Sequence, residues 1–245
     1  MGVFFFDRHR LRELAGERRE AYREALPYPH AVFDDFLGSD VAVALEGAFP
    51  GPDHPGWMRR DYREQSARLG QLQRTGFEGV DAGVRHLLAE LSGMAFLDFL
   101  SALTGIEGLI PDAHFRGAGL SLTLPGGHLA LHADFNRDRT RHLERKVTVL
   151  YYLGGDWKPE WGGALELWDE QRTRCVASYL PLLDRLVVMA HGDVYWHGQP
   201  SPLACPEGRF RASVAAYYYV AAPSPNEEEA HGAIWAQPLV RVRLS

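Results

Sequence analysis

Residues 146–168 read Lys-Val-Thr-Val-Leu-Tyr-Tyr-Leu-Gly-Gly-Asp-Trp-Lys-Pro-Glu-Trp-Gly-Gly-Ala-Leu-Glu-Leu-Trp, and this stretch decides the predicted fold. It begins with a run of β-branched and aromatic residues and ends with a second apolar run, and both are typical of β-strands. Glycine and proline, which mark turns, separate the two runs. The stretch therefore predicts two short strands, near 146–153 and 163–168, joined by a loop.

The same pattern continues on both sides of this stretch, from residue 111 onward. Short apolar runs alternate there with glycine-rich turns, whereas a βαβ fold would place long helical segments between its strands. The pattern predicts a mainly β protein with supporting helices, whose core is a double-stranded β-helix, or jelly roll. The eight predicted strands lie near 118–124, 128–134, 146–153, 163–168, 174–178, 185–190, 194–197 and 211–221.

The first 110 residues predict a helical layer that supports the jelly roll. Asp7 is the predicted cap of the first helix, and Ser39 or Asp40 is that of the second. Residues 51–78 carry Gly, Pro and many charges, and predict an irregular surface excursion. The predicted helices span about 7–25, 39–50 and 80–103, the last broken at Ser92-Gly93, and a short strand is predicted at 29–33.

These elements predict a single domain over residues 1–245, without internal repeats or long linkers. Its helical support is expected in 1–110, its jelly-roll core in 111–222 and a C-terminal extension in 223–245. A composition of 46% hydrophobic and 24% charged residues is ordinary for a globular protein.

The composition also excludes several classes of partner. The net charge is −6, from 26 basic and 32 acidic side chains, which disfavours nonspecific binding to nucleic acid. No apolar run approaches the roughly 20 residues that span a bilayer, so no membrane partner is expected. The two cysteines, Cys175 and Cys205, are too few for a disulfide framework or a cysteine zinc site, and the opening residues do not form a signal peptide. A cytoplasmic location is therefore expected.

A candidate metal site begins with His132-Ala133-Asp134. Residues i and i+2 of a strand face the same side, so these two side chains can reach one ion. A jelly roll brings His197, at the end of an aromatic strand, beside the end of an early strand. Two imidazoles and one carboxylate form the facial triad that holds ferrous iron and leaves coordination positions open.

A short His-x-Asp pair also arises by chance, and His191-Gly192-Asp193 is a second one. A rival site would therefore combine His191, Asp193 and His197 from one segment. Gly192 makes a regular strand doubtful there, and the rival leaves His132-Ala133-Asp134 unexplained.

Arg211 opens the run Arg-Ala-Ser-Val-Ala-Ala-Tyr-Tyr-Tyr-Val and shares a predicted strand face with Ser213 and Ala215. These small neighbours leave room for a ligand, and a buried guanidinium needs an anionic partner. Arg211 is therefore the candidate that binds a carboxylate co-substrate, and the Tyr152 hydroxyl could donate a second hydrogen bond to the same carboxylate. A solvated position for Arg211, or a substitute role for Arg209, stays open.

The stretch from about Gly119 to Val220 resembles the prolyl 4-hydroxylase-like branch of the 2-oxoglutarate/Fe(II) dioxygenases, and is similar to the catalytic domain of the hypoxia-sensing prolyl hydroxylases. The matching residues are His132-Ala-Asp134, Val-Thr-Val-Leu-Tyr-Tyr-Leu at 147–153, Asp156-Trp157, Gly-Gly-Ala-Leu-Glu-Leu at 162–167, Asp184-Arg185-Leu, His197, and Arg211 leading into Tyr217-Tyr218-Tyr219.

The resemblance implies that His132, Asp134 and His197 bind Fe(II), and that Arg211 and Tyr152 hold the distal carboxylate of 2-oxoglutarate. The implied reaction consumes O2, hydroxylates an unactivated C–H bond and releases succinate and CO2, with ascorbate as a further candidate cofactor. The carboxylate of Asp134 favours hydroxylation, because related halogenases lack it.

The chain departs from the hypoxia-sensing enzymes at Leu124-Pro125-Gly126, where they have a tyrosine before the Pro-Gly turn. Protein-prolyl specificity is therefore not carried over. The expected partner is a small-molecule or peptidyl substrate, derived from an amino acid or a natural product. A metal-binding cupin-like protein, or a dioxygenase that does not use 2-oxoglutarate, is the alternative.

Residues 137–146 contain five basic and two acidic side chains and follow the metal motif directly. This basic segment is expected at the mouth of the pocket, where it could attract an anionic substrate. A solvated loop without that role is the other interpretation.

Overall fold

The computed structural model describes residues 4–70, 76–222 and 230–236. The α-helices in these ranges are α1 (Arg8–Glu24), α2 (Ser39–Ala48), α3 (Ala82–Leu91) and α4 (Met94–Thr104), and Pro159–Trp161 form a short 3-10 helix. The strands are β1 (His30–Phe33), β2 (Met58–Tyr62), β3 (Gln65–Gly70), β4 (Ile110–Pro111), β5 (Gly119–Ala133), β6 (Arg137–Asp138), β7 (Leu143–Tyr152), β8 (Leu165–Trp168), β9 (Cys175–Tyr179), β10 (Arg185–Ala190), β11 (His197–Gln199), β12 (Arg211–Ala221) and β13 (Ile234–Trp235).

The strands form one antiparallel sheet that curls into a half-barrel, which confirms the predicted jelly roll. Its main path runs β1-β10-β7-β12-β5-β11-β8-β9. The long strand β5 joins the two halves, because its first part pairs with β12 and its last part pairs with β11. An antiparallel sheet closed in this way encloses a cavity between its two faces.

Residues 118–134 were expected to form two strands, but β5 runs through the Leu124-Pro125-Gly126 bend without interruption. The reason is β3, which pairs with β5 on both sides of the bend and shifts register between Ser66 and Arg68. Only Ala67 of β3 lies opposite residues 124–127 of β5, so the extra residues that form the bend belong to β5.

Side-chain alternation along β7 divides the interior into two regions. Val147, Val149 and Tyr151 belong to the large apolar core shared with the helices. Thr148 and Leu150 point the other way and line the cavity. Strand β12 alternates in the same manner. One face of the sheet therefore packs into the apolar core, and the other face lines the cavity.

The predicted helical layer is confirmed. Asp7 caps α1 by accepting a hydrogen bond from the Arg10 amide at 2.9 Å. The break at Ser92-Gly93 separates α3 from α4, whose fully buried residues are Phe96, Phe99, Leu100 and Leu103.

Helix α2 begins at Ser39, but its cap is Gly38 rather than Ser39 or Asp40. The Gly38 amide donates to the Asp184 carboxylate at 2.7 Å. A side chain that directly precedes β10 therefore accepts a hydrogen bond at the start of this helix.

Residues 58–70 are not the irregular excursion expected from their composition. They form the hairpin of β2 and β3, and β3 pairs with β5 at the edge of the cavity. The sequence of this hairpin is charged and lacks apolar alternation, so it does not predict strands. The strands form because β3 pairs with β5 through the backbone. The first 110 residues therefore contribute strands β1, β2 and β3 to the sheet as well as helices.

Among the described residues, every helix is too short or too polar to cross a membrane alone; α3 and α4, bent by 45°, pass on length and composition as a pair. Of the predicted C-terminal extension 223–245, only residues 230–236 lie within the described ranges.

Candidate active site

The three predicted metal ligands meet at one end of the cavity. His132 and Asp134 come from the end of β5, and His197 opens β11 directly across from His132. The carboxylate oxygens of Asp134 lie 3.5 Å from Nε2 of His132 and 3.4 Å from Nε2 of His197. One ligand atom from each residue lies within 4.8 Å of the others, which is the only such cluster in the described ranges. This spacing suits a single ion held on one face.

Both imidazoles are oriented by backbone carbonyls. Nδ1 of His132 contacts the Ala130 carbonyl at 2.9 Å, and Nδ1 of His197 contacts the Tyr195 carbonyl at 3.1 Å. A carbonyl only accepts, so each Nδ1 carries the proton and each Nε2 keeps a lone pair toward Asp134. Burial, then His197, lowers the pKa of His132, which favours the neutral form that binds metal.

Asp134 has a further partner that sequence reasoning missed. Nη2 of Arg145 donates to the Asp134 carboxylate at 2.6 Å, and the Arg145 side chain is completely buried. Its guanidinium also lies 3.3 Å from the ring centroid of Tyr217. Burial alone would raise the pKa of Asp134, but Arg145 and the imidazoles outweigh it and hold that pKa well below its usual range.

Period-two alternation from Val147 would place Arg145 on the helix side of β7. A register shift between Tyr218 and Tyr219, opposite this point, turns Arg145 to the cavity side instead. Nη2 of Arg145 accordingly reaches the Thr148 hydroxyl at 2.8 Å. No sequence signal marks this bulge, which explains why Arg145 was assigned to the basic segment.

The predicted carboxylate anchor, Arg211, is buried on the cavity side of β12. Its Nε donates to the Gly163 carbonyl at 2.8 Å and its Nη2 donates to the Tyr152 hydroxyl at 2.9 Å. No ion pair joins Arg211 to an acidic side chain of the described residues. The small residues Ser213 and Ala215 also line the cavity, so an anionic ligand has room beside the guanidinium.

Gly163 must remain a glycine for this geometry. Its φ is +77°, and a Cβ there would lie 2.6 Å from Leu203 and 3.4 Å from the Arg211 side chain. Tyr152 is fully buried and supports Arg211 from behind, so its observed contact with the site passes through that guanidinium.

The alternatives left open by the sequence are not assembled. Asp193 lies 4.0 Å from His191 and instead contacts Nε2 of His231 at 3.0 Å. Arg209 is exposed beside the ring of Trp161 and does not line the cavity. Arg211 is buried rather than solvated.

No side chain of the basic segment lines the cavity, although Arg145 reaches the lining residue Asp134. Arg141 and Lys146 are engaged locally: Arg141 pairs with Asp138 and Asp112, and Lys146 pairs with Glu144. The expected electrostatic role at the pocket mouth is therefore not supported by the positions of these residues.

Residues 118–219 match the model of a family described as the 2OG-Fe(II) oxygenase superfamily. This part of the chain is therefore similar to members of that superfamily. The matched region contains the metal cluster, Tyr152 and Arg211. No curated protein sequence matches this chain.

Solved structures show the same fold. A Pseudomonas putida prolyl-4-hydroxylase superposes with a TM-score of 0.57 at 19% identity, over 86% of this chain and 98% of that chain. A Trichoplax adhaerens prolyl hydroxylase, in complex with a peptide of the hypoxia inducible factor oxygen degradation domain, gives 0.55 at 18% identity, over 86% of this chain and 90% of that chain. The α-ketoglutarate-dependent epimerase SnoN from nogalamycin biosynthesis gives 0.53 at 13%, over 85% and 84%.

Proposed function

We propose that this oxygenase binds Fe(II) through His132, Asp134 and His197 and anchors 2-oxoglutarate through Arg211. One observation carries the proposal: two imidazoles and a carboxylate share a cavity with a buried guanidinium that has no acidic partner among the described residues. The donor set fits a ferrous ion, and the guanidinium fits the distal carboxylate of a dicarboxylic acid. A cupin-like dioxygenase that does not use 2-oxoglutarate would have no use for Arg211.

The protein's own residues orient the reactants. The carbonyls of Ala130 and Tyr195 fix the two imidazoles, while Arg145 fixes the carboxylate of Asp134. Tyr152 holds the Arg211 guanidinium by a hydrogen bond and lies under it at 4.8 Å. These contacts keep the groups preorganised, so less ordering is needed when the ligands bind.

Bound iron, 2-oxoglutarate and O2 supply the oxidising power that hydroxylates an unactivated C–H bond, with release of succinate and CO2. The chain's contribution is to place that C–H bond in the cavity beside Asp134. Because Asp134 occupies the third ligand position, the geometry favours hydroxylation over halogenation.

The cavity measures about 220 Å³, below the roughly 300–1,000 Å³ of typical ligand pockets. It suits the co-substrate together with a small reacting group, from an amino acid derivative, a natural product or a peptide side chain. We further propose a cytoplasmic location, supported by the free thiols of Cys175 and Cys205.

The test is succinate release under Fe(II), O2 and 2-oxoglutarate, combined with product masses that report the added oxygen. We expect wild-type protein to release succinate above the no-enzyme rate, and His132→Ala to lose both this activity and iron binding. Arg63→Gln, on an exposed side chain outside the cavity, is the matched control and should keep both. Product formation without 2-oxoglutarate would favour the cupin-like alternative.

A further inference from the structure

The β2–β3 hairpin places two further arginines in the cavity, Arg60 and Arg68. Nη2 of Arg68 donates to the Ser121 hydroxyl at 3.0 Å, and its Nη1 donates to the Gln65 side chain at 3.4 Å. Nε of Arg68 is buried and has no hydrogen-bond partner. Gln65 is itself buried, so this corner is a built polar site rather than open surface.

Within the described part of the chain, no acidic side chain balances the charges of this corner. Among the described residues, neither arginine forms an ion pair with an acidic side chain. The cavity lining contains three guanidiniums, those of Arg60, Arg68 and Arg211, and one carboxylate, that of Asp134. Asp134 already pairs with Arg145, and the charges of Fe(II) and 2-oxoglutarate would cancel, so the positive charges of the three lining guanidiniums remain as a net excess. A charge held in a low-dielectric cavity needs a counter-charge.

Arg60 and Arg68 also face each other directly across the two strands of the hairpin. Like charges at opposite positions destabilise a strand pair, and a bound anion between them removes the repulsion. Burial, followed by Arg211 and Arg60, lowers the pKa of Arg68 to about 10, and the group stays cationic at neutral pH.

The co-substrate does not account for these arginines. Arg68 and Arg211 both lie opposite Thr123, but on different sides of β5. Two strand spacings, about 10 Å, therefore separate their backbones. A 2-oxoglutarate molecule anchored by Arg211 and directed toward the metal ligands leaves Arg68 for a second ligand.

We propose that the substrate of this oxygenase is a small carboxylic acid whose carboxylate binds at Arg68, beside Arg60. This inference rests on the proposed function and names the substrate class of the same site. The carboxylate bound at the hairpin holds the molecule at one end, and its C–H bond reaches toward the metal ligands at the other end of the cavity.

The experiment measures binding by calorimetry to protein loaded anaerobically with Fe(II) and 2-oxoglutarate. The probes are N-acetylated amino acids, each offered as the free acid and as the matched primary amide. We expect at least one free acid to bind about tenfold or more tightly than its amide, because a charge-assisted hydrogen bond is lost in the amide. Arg68→Gln should lower the affinity for that acid by about tenfold, while the affinity for 2-oxoglutarate should change by less than about twofold.

Two variants serve as controls. Arg68→Lys keeps the charge and should recover part of the acid affinity, and Arg63→Gln removes an exposed charge of the same hairpin and should leave binding unchanged. The proposal is overturned if no acid binds more tightly than its amide, or if Arg68→Gln weakens the binding of 2-oxoglutarate and leaves the binding of the acid unchanged.

The visible absorption band of the Fe(II)–2-oxoglutarate chelate distinguishes a failure of the proposed function from an error in the substrate class alone. If wild-type protein lacks this band, the proposed function fails. If wild-type and Arg68→Gln proteins both show it while acids and amides bind alike, only the substrate class is wrong.

Discussion

Arg145 is a completely buried cation whose charge is met by Asp134 at 2.6 Å. Removing one partner of a buried ion pair leaves an uncompensated charge, whereas replacing both with apolar residues is much less costly. Asp134 therefore has two functions, as a candidate metal ligand and as the counter-ion of Arg145.

We expect Asp134→Ala to lower the free energy of unfolding of the metal-free protein by about 3–5 kcal/mol. The double variant Asp134→Ala/Arg145→Met should be more stable than Asp134→Ala alone by at least about 1 kcal/mol. Chemical denaturation of metal-free protein measures both values. Additive losses from the two substitutions would contradict the assigned pairing.

Arg211 offers a second prediction at the scale of single residues. Losing a buried charge pair costs about 2–5 kcal/mol, so Arg211→Gln should raise the Kd for 2-oxoglutarate by about 100-fold. Tyr152→Phe removes one supporting hydrogen bond of about 1 kcal/mol and should raise it about fivefold. Anaerobic titration measures the Kd, and Arg209→Gln, exposed and outside the cavity, should leave it unchanged. Equal effects of Arg209→Gln and Arg211→Gln would remove Arg211 from the site.

At the scale of elements, Asp184 ties the start of α2 to the sheet. Its carboxylate accepts hydrogen bonds from the amides of Leu37 and Gly38, at 2.8 and 2.7 Å, and from the Tyr151 hydroxyl at 2.8 Å. The carboxylate lies just before β10 and is buried, so water cannot replace it as the acceptor for these groups.

Asp184→Ala should therefore lower the free energy of unfolding by about 3 kcal/mol or more. Urea denaturation gives the value. The exposed carboxylate of Asp53 provides the control, because its removal should change stability by less than about 0.5 kcal/mol. A loss below about 1 kcal/mol for Asp184→Ala would show that the three hydrogen bonds are dispensable.

The elements also show why sequence patterns succeeded in one place and failed in another. Alternation along β12 predicted that Arg211, Ser213 and Ala215 share a face, and all three line the cavity. Arg145 was instead assigned to the basic segment, and alternation along β7 would not have placed it, because a bulge in the pairing of β7 with β12 changes the side that it faces. A bulge depends on the pairing of two distant segments, and neither segment alone encodes it.

At the scale of the whole molecule, the fold buries two histidines and thereby makes their protonation less favourable. Burial, then Arg145, lowers the pKa of His191 to about 4, and burial lowers the pKa of His30, whose nitrogens contact the Tyr28 carbonyl and the Tyr179 hydroxyl. In the unfolded chain both titrate near 6.5. As the pH falls below that value, the unfolded state binds protons that the folded state excludes, and stability decreases.

The free energy of unfolding should thus decrease between pH 6.5 and about 4, with a contribution from His191 of about 3 kcal/mol. Above pH 6.5 this contribution is constant, because the imidazole is neutral in both states. Denaturation of wild-type and His191→Gln proteins across this window measures the difference. Identical slopes for the two proteins would show that His191 titrates normally in the fold.

The sequence by itself predicted the helical layer, most of the strands and five candidate site residues: His132, Tyr152, Asp134, His197 and Arg211. These predictions follow from local periodicity, from residue types whose chemistry is specific and from the resemblance of residues 119–220 to a known family. The structure brings the three candidate metal ligands together and buries Arg211 against Tyr152.

Only the tertiary structure decided the contributions of Arg145, Arg60 and Arg68. Their charged segments resemble solvated surface in the sequence, and their direction into the cavity depends on pairing with strands far along the chain. Local patterns report the preferences of a segment, whereas the cavity is formed by strand register, which only long-range pairing sets.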